Sequence, residues 1–595
     1  MIQEEPLLPF KTWLLEWDAD RWGAFWHFLL VMVVLAMLSL VIGLIIGTIL
    51  HGPVKAGERA YRVVANAFRE LFHISPRRIW AIARVAMQEA LRRRVLVAVA
   101  VFVLLLLFAG WFLKTDREPA KLYFSFVLTA TSFLGLFIAL LLSVFSLPND
   151  FKTKTIYTVV TKPVRAGDII LGRILGFTLV GSLLLLVMGG ASYLFVSRAL
   201  THTHTVAAQK ELPERTSRSD GHSHKLEVRD DGQIIAMYEH GHEHSVEKRG
   251  DRYMVSPPEG MIRARVPLYG ELKFLNRQGV EVEKGVSVGK EWGYRSFIEG
   301  GTQAAAVWTF DGINEDTLID EGEDGRYLPI EIVVRVFRTW KADINTPVQG
   351  IIQLKRPGSD LKTEPEFFFA DDNTIDLKYF PESLTDTNNQ PVDLLEDLVS
   401  EDGQLEVVVQ CLDRAQYFGF ARGDCYIHLR DASPFWNFVK AYISIWVQMV
   451  VVIAIAVTGS TVLSGPIAML FTVSFILLGF QRDFLMGVAT DKVEGGGPIE
   501  ALVRIPTHMN LISDFKDQHF GIKLMRLVDD GLQALMQVLA SVLPDFGNLS
   551  TADYVAYGFD IPWNQVLQQL FLGGAYVIGL AIVGYFLLRN REVAK

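Results

Sequence analysis

Long stretches of this chain carry almost no polar residue, and between them polar and charged residues crowd together. Seven apolar runs of about 20 residues stand out, the length a helix needs to cross a hydrocarbon layer of roughly 30 Å. They are Ala24 to Leu50, Val95 to Leu113, Leu122 to Leu147, Ile169 to Phe195, Phe435 to Val457, Val462 to Phe480 and Asn564 to Leu588. Their interiors are filled by Leu, Val, Ile, Phe, Ala and Gly. A different pattern governs the middle of the chain. From about Ile262, short β-patterned runs recur, among them "IEIVVRVF", "GIIQLK", "EFFFA" and "LEVVVQCL", separated by Gly, Asp, Asn and Pro. That texture predicts an antiparallel β-sandwich or similar fold over residues 255–432. A third pattern, helical, covers Ile79 to Leu91, where Ile79, Trp80, Ala83, Ala86, Met87, Ala90 and Leu91 share one face, opposite Arg84, Gln88 and Glu89. It predicts either a helix lying in a headgroup layer or an ordinary amphipathic helix, with Ser75 and Pro76 at its start.

The expected fold class is therefore a mainly α-helical polytopic membrane protein of about seven transmembrane helices with a large inserted β-rich domain outside the membrane. Half of the 595 residues are hydrophobic, which agrees. The expected organisation is an N-terminal segment and extra span (1–50), a basic segment with the amphipathic helix (51–94), spans (95–196) joined by a short loop (148–168), a His-rich segment (197–254), the β-rich domain (255–432), a span hairpin (433–480), a helical segment (481–563), and a last span with its tail (564–595).

Charge sets the expected orientation. His51 to Arg94 holds ten Lys/Arg against three acidic residues, which places it in the cytoplasm. The N-terminus then lies outside, the 148–168 loop inside, the β-rich domain outside and the C-terminus inside. Between Thr201 and Arg430, 26 Lys/Arg face 41 Asp/Glu, a net of about −15 against −9 for the whole chain. The leader before Ala24 is acidic and the run after it too long for a cleaved signal, so it reads as a retained span.

Recognisable enzyme chemistry is scarce. The chain contains no phosphate-binding G-x-x-x-x-G-K-[ST] loop, no His-Glu-x-x-His and no Cys-x-x-Cys. Its Gly-x-Ser-x-Gly, Gly285 to Gly289, falls among β-patterned runs and reads as a chance match. Charges inside the spans, the usual mark of proton or ion relays, are nearly absent, with Arg173 placed near a span end from which it can snorkel. No ATP site, no catalytic residue and no nucleic-acid partner is expected in this chain.

Two features offer other chemistry. Between Thr201 and Gly250 lie seven of the thirteen histidines, His202, His204, His222, His224, His240, His242 and His244, in "THTHT", "GHSHK" and "HGHEH". Residues two apart in an extended chain project to the same side, so each His-x-His pair can offer two imidazoles to copper, zinc or nickel. The other reading is a solvated low-complexity hairpin. Cys411 and Cys425 are expected on adjacent strands, where a disulfide and two buried free thiols both fit.

The inner loop "NDFKTKTIYTVVTKPVRAGDIILGRILG" puts Lys162-Pro163-Val164-Arg165 before Leu171-Gly172-Arg173. It resembles the corresponding loop of type-2 ABC transporter permeases, in which Lys-Pro-x-x-Arg precedes Gly-Lys or Gly-Arg; this chain has one residue fewer between its proline and arginine. "AIARVAMQEALRRR" is similar to that family's entry helix, and "LLRNREVA" to its usual end. Similar permeases include those associated with multicopper enzyme maturation. The resemblance implies a permease subunit of an exporter in the plasma (inner) membrane. On that resemblance it would act as a homodimer or with a sister permease, in contact with membrane lipid, and be driven by ATP bound to a separate cytosolic ABC ATPase. Asp150, Phe151, Lys152, Thr155, Lys162, Pro163, Arg165, Gly172 and Arg173 would form the ATPase-coupling loop. The extra N-terminal span and the insertion of more than 200 residues depart from the family pattern. The reading from a different class is a membrane-anchored metal- or partner-binding protein without transport.

Overall fold

The computed structural model describes residues 7–590 apart from 17–22, 72–74, 93–95, 114–118, 155–163, 207–212, 220–222, 229–233, 240–241, 250–251, 259, 289–294, 321–324, 340–345, 371–373, 494, 511–514 and 516–519. The chain divides into two compact units. One is β-rich and contains Ile262–Asn437 with Gly558–Asp560. The other contains Leu8–Met261, Phe438–Tyr557 and Ile561–Lys595 and is mainly helical.

All seven apolar runs are helical. Among the described residues, four helices are long and apolar enough to cross a membrane, Pro119–Lys152, Ala166–Leu200, Pro434–Ser460 and Trp563–Arg589. A fifth is reached if Gly465–Phe480 and Arg482–Ala489, bent by 67° at their junction, count as one span. The run expected from Val95 is a helix of 17 residues, Leu96–Phe112.

Pro434–Ser460 is the hub of the helical unit. Its Tyr442 hydroxyl donates to Ser192 Oγ at 2.8 Å and lies 3.0 Å from Thr131 Oγ1. Trp446 Nε1 donates to Ser182 Oγ at 2.8 Å, and Ser444 Oγ to Gln569 Oε1 at 2.6 Å. These side chains join it to the helices Pro119–Val144, Ala166–Leu200 and Trp563–Asn590. An unpaired polar group is costly in an apolar setting, so such bonds fix which faces meet.

The amphipathic helix is present as Pro76–Arg92, but its packing differs from the expected lipid-facing stripe. Ala83, Ala86 and Ala90 are buried, whereas Trp80 and Leu91 are about half exposed. The small residues face the helix Ala166–Leu200. A Cβ at Gly172 would stand 2.7 Å from Ile82 Cβ, and one at Gly176 would stand 2.6 Å from the Ala83 carbonyl oxygen. Only glycine lets the two backbones approach this closely. Met87 and Ile79 belong to the same helix, and its apolar pattern is therefore shared between helix packing and an exposed edge.

Arg173 does not snorkel. It is buried, and its guanidinium bonds to Asp150 and to Ser146 Oγ, with Glu89 Oε2 at 3.6 Å. Ser146 Oγ donates in turn to Glu89 at 2.9 Å. A buried guanidinium requires paired carboxylates, and here they come from the short helix Ser146–Lys152 and from Pro76–Arg92.

The β-rich unit is a two-sheet sandwich. One sheet orders Val266–Tyr269, Cys425–Leu429, Arg326–Arg338, Gln416–Phe420 and Ser296–Glu299, with Ile319–Asp320 and Thr374–Pro381 also pairing along Arg326–Arg338. The other orders Glu366–Ala370, Val348–Lys355, Leu405–Cys411, Ala305–Phe310, Glu271–Leu275 and Glu281–Val282. Burial alternates strictly along Leu405–Cys411, as a strand with one face on the core requires. Across the core Trp308 meets Phe420 edge to face and Phe368 stacks on Phe418.

Cys411 and Cys425 are free, buried thiols. The residues between them do not form a loop: Gln416–Phe420 is itself a strand, paired with Arg335–Arg338 and Ser296–Glu299. The two cysteines therefore stand on different sheets. Burial pushes the Cys411 thiol up to about 12 and raises that of Cys425.

Candidate metal centre

The helix Ala166–Leu200 runs directly into the His-rich segment. Five of the seven predicted histidines come together there, His202, His204, His224, His242 and His244, all buried. His222 and His240 lie outside the described residues.

Backbone pairing brings them together. Ser217 donates its N–H to the Thr205 carbonyl, and Thr216 donates to the His224 carbonyl. These two bonds lay His202 and His204 alongside His224. His242 and His244 sit on the strand His242–Arg249, with His244 opposite Ala236. That strand belongs to a four-stranded meander of Leu226–Val228, Ile234–Glu239, His242–Arg249 and Arg252–Val255. Val206 bridges to Tyr253 and closes the set. Within each His-x-His the extended backbone sends both rings to one side.

One nitrogen from each ring lies within 4.8 Å of all the others. The Nε2 atoms of His224 and His242 are 3.2 Å apart, and those of His242 and His202 are 3.0 Å apart. At a metal–nitrogen distance of about 2.0–2.1 Å, neighbouring ligands stand roughly 3 Å apart and opposed ones about 4.2 Å. The near pairs already match adjacent ligands, and the 4.8 Å outer limit exceeds the opposed-ligand separation by about 0.6 Å, so a modest contraction would close the cage on an ion.

Outer contacts fix the tautomers. His204 Nδ1 lies 2.8 Å from the Ser217 carbonyl oxygen, His244 Nδ1 lies 2.9 Å from that of Ser256, and His202 Nδ1 lies 3.3 Å from that of Leu200. A carbonyl oxygen has no proton to give, so each Nδ1 donates, and the Nε2 of each ring is the atom left to face a metal. The Nε2 of His244 is buried with no hydrogen-bond partner. Such an atom is costly unless something fills its lone pair. Burial, helped by the nearby His224, His204 and His202 and opposed by the Ser256 carbonyl, lowers His244 to about 4. The ring is neutral at physiological pH, the form that binds a metal.

Ser217 and Ser256 were not expected from the sequence. Both do the same work: Ser217 Oγ accepts the Thr205 N–H at 2.8 Å, and Ser256 Oγ accepts the Ser245 N–H at 2.9 Å. Each N–H belongs to the residue after the histidine whose ring the same serine holds by its carbonyl. The detectable signal is a serine 13 residues after His204 and 12 after His244.

The residues of the predicted coupling loop are only partly described. Asp150, Phe151 and Lys152 end the helix Ser146–Lys152. Arg165 is the N-cap of Ala166–Leu200, its N–H donating to Asp168 Oδ2 at 3.2 Å, and Arg78 Nε donates to the same oxygen at 2.7 Å. Gly172 and Arg173 serve the packing and the ion pairs given above. Thr155, Lys162 and Pro163 lie outside the described residues. In the Gly285 to Gly289 stretch, Val286 makes a β-bridge with Phe297, not a strand-to-helix turn.

No protein-family model and no curated protein matches the chain.

Proposed function

We propose that this chain is a polytopic membrane protein that binds one transition-metal ion through His202, His204, His224, His242 and His244, and that it serves as the permease subunit of a type-2 ABC exporter. The observation that carries the metal function is the convergence of five buried imidazole nitrogens within 4.8 Å of one another. An all-imidazole set suits copper, zinc or nickel and lacks the oxygen ligands that calcium or magnesium needs. The exporter assignment is supported by the inner-loop pattern from Asn149 to Gly176 and its basic flanks. It is supported also by the way Arg173 ties the short helix before that loop to the helix after it. A force on the loop would pass through this clamp to a candidate span. In this reading the protein lies in the plasma membrane, with the His-rich segment and the sandwich outside, the C-terminus inside, and ATP hydrolysed by a cytosolic partner.

The test is purification of the tagged chain from its native membrane in mild detergent, with mass spectrometry and an ATPase assay, beside a Lys162→Glu/Arg165→Glu variant. Co-purification of a P-loop ATPase with the parent and its loss or uncoupling in the variant is the expected result. The second reading, an anchored metal-binding or sensing protein without transport, draws on the same cage. It takes over if the chain carries metal but no ATPase accompanies it in several detergents.

A further inference from the structure

The sheet that carries two of the five ligands, His242 and His244, has little else to hold it. Its core among the described residues is Val206, Leu226, Ala236 and Val246, with Ile234, Tyr253 and Val255 packed alongside. The sandwich, by contrast, buries one continuous core from Phe274 to Ile427. Small sheets with so few apolar residues are held by disulfides, by a metal or by packing on a larger body. Disulfides are ruled out here, because the only cysteines of the chain are Cys411 and Cys425.

The ligands also come from three separate stretches. His224 and His242 are 18 residues apart, and His242 and His202 are 40 apart. One ion would tie the extended segment after Leu200, the segment around His224 and the strand His242–Arg249 to a single point. The first of these leads straight out of the helix Ala166–Leu200, and the His202 ring donates to the Leu200 carbonyl in its last turn. A helix C-terminus carries partial negative charge, so a cation held there is stabilised.

We infer that the ion is a resident clasp: a divalent copper, zinc or nickel ion that folds the four-stranded sheet and fastens it to the end of the helix Ala166–Leu200, rather than a cargo passing through. This rests on the metal reading above and adds to it. All five ligands are buried, and release of the ion requires the paired segments to part. A cargo site needs an open ligand position and easy exchange, whereas a closed shell of protein ligands is the mark of a structural ion. In such sites the free energy of binding is free energy of folding.

The test uses the full chain purified in detergent, stripped with a chelator and then reloaded with ZnCl2, CuCl2 or NiCl2, and followed by hydrogen exchange. The stripped chain is expected to lose at least tenfold of the protection in Leu226–Val228, Ile234–Glu239, His242–Arg249 and Arg252–Val255. At least one of the ions is expected to restore it, and Arg326–Arg338 in the sandwich should exchange equally in both states. A His242→Ala/His244→Ala variant should behave as the stripped chain whatever is added. An ion that binds stoichiometrically yet leaves exchange in the sheet unchanged overturns the clasp while the metal reading stands. A chain that binds none of the three ions overturns both.

Discussion

His244 donates its Nδ1 proton to the Ser256 carbonyl at 2.9 Å, and the Ser256 hydroxyl accepts the N–H of the next residue, Ser245. The same two bonds join His204 to Ser217, with Thr205 in the place of Ser245. Two His-x-His pairs, 40 residues apart in the chain, are thus each oriented by one serine from a neighbouring segment. Ser217→Ala and Ser256→Ala keep the carbonyl but remove the hydroxyl that holds the histidine backbone in place. Loss of such an outer contact costs a metal site about 10–100-fold in affinity. Each variant is expected to bind the preferred ion about tenfold more weakly by calorimetry, with the helical unit undisturbed.

The Arg173 clamp gives a prediction in the helical unit. Arg173→Met leaves Asp150 and Glu89 facing a buried site without their cation. Removing one partner of a buried pair costs about 3–5 kcal/mol. Thermal unfolding in detergent is expected to fall by several degrees, with Arg173→Lys recovering part of the loss because it restores charge without the planar fork. If Met is tolerated without change, the clamp does not hold these helices together.

Close packing of Pro76–Arg92 on Ala166–Leu200 makes Gly176 intolerant of a side chain. Its Cβ would stand 2.6 Å from the Ala83 carbonyl oxygen and 2.8 Å from Ala86 Cβ, both on a backbone that cannot move alone. Gly176→Val should cost about 1–3 kcal/mol through overpacking. A fluorescence-detected chromatography profile is expected to show less monodisperse protein for this variant, while Gly190→Ala, where a Cβ meets nothing within 4 Å, should match the parent.

The apolar helices were legible because length and apolarity act locally: each of the seven runs falls in helix, and four or five of them among the described residues are long and apolar enough to cross a membrane. Which faces those helices bury was not legible. The face of Ile79, Trp80 and Ala83 looks uniformly apolar in sequence, yet Ala83 and Ala86 pack on Gly176 and the Ile79 carbonyl and Ile82 on Gly172 while Trp80 stays half exposed, since close helix packing depends on local size and shape rather than hydrophobicity alone. Arg173 was misplaced for a related reason: its partners Asp150 and Glu89 are 23 and 84 positions away, and their approach depends on tertiary packing. The histidines were legible as pairs through their spacing of two. Their meeting in one cage, and the serines behind it, depend on pairing between strands that no local pattern specifies. Of the two readings of the cysteines, free buried thiols hold, and their placement on adjacent strands fails because Gln416–Phe420, glycine included, forms a strand rather than a loop.

The sandwich carries a pH-sensitive knot. Glu331 is buried and bonded to His428, Arg265 and Tyr426, and His428 bonds on to Asp431 at 2.8 Å. Burial raises the Glu331 carboxyl, but the His428 bond, the Arg265 charge and the Tyr426 hydroxyl prevail and hold it near 2. Burial lowers His428, but Asp431 and Glu331 outweigh it and raise the ring to about 9. A depressed carboxyl stabilises above its unfolded value of 4.5 and loses that as pH falls toward 2. A raised imidazole stabilises below 6.5 and loses that as pH rises toward 9. Hydrogen-exchange protection of Arg326–Arg338 is expected to be greatest between about pH 4.5 and 6.5 and to fall on both sides. His428→Gln should abolish the fall above pH 6.5.

The central claim is the five-histidine metal centre, and its most direct test is metal content joined to the ligand shell of the bound ion. The full chain, purified without added chelator or affinity nickel, is measured by elemental mass spectrometry and X-ray absorption beside a variant with His202, His204, His224, His242 and His244 changed to Ala. One copper, zinc or nickel ion per chain, with a first shell of nitrogen alone at about 2.0–2.1 Å and lost in the variant, is the predicted result. A parent chain that takes up no such ion when it is offered, or one whose ion has sulfur or oxygen neighbours and survives the five substitutions, would contradict the claim.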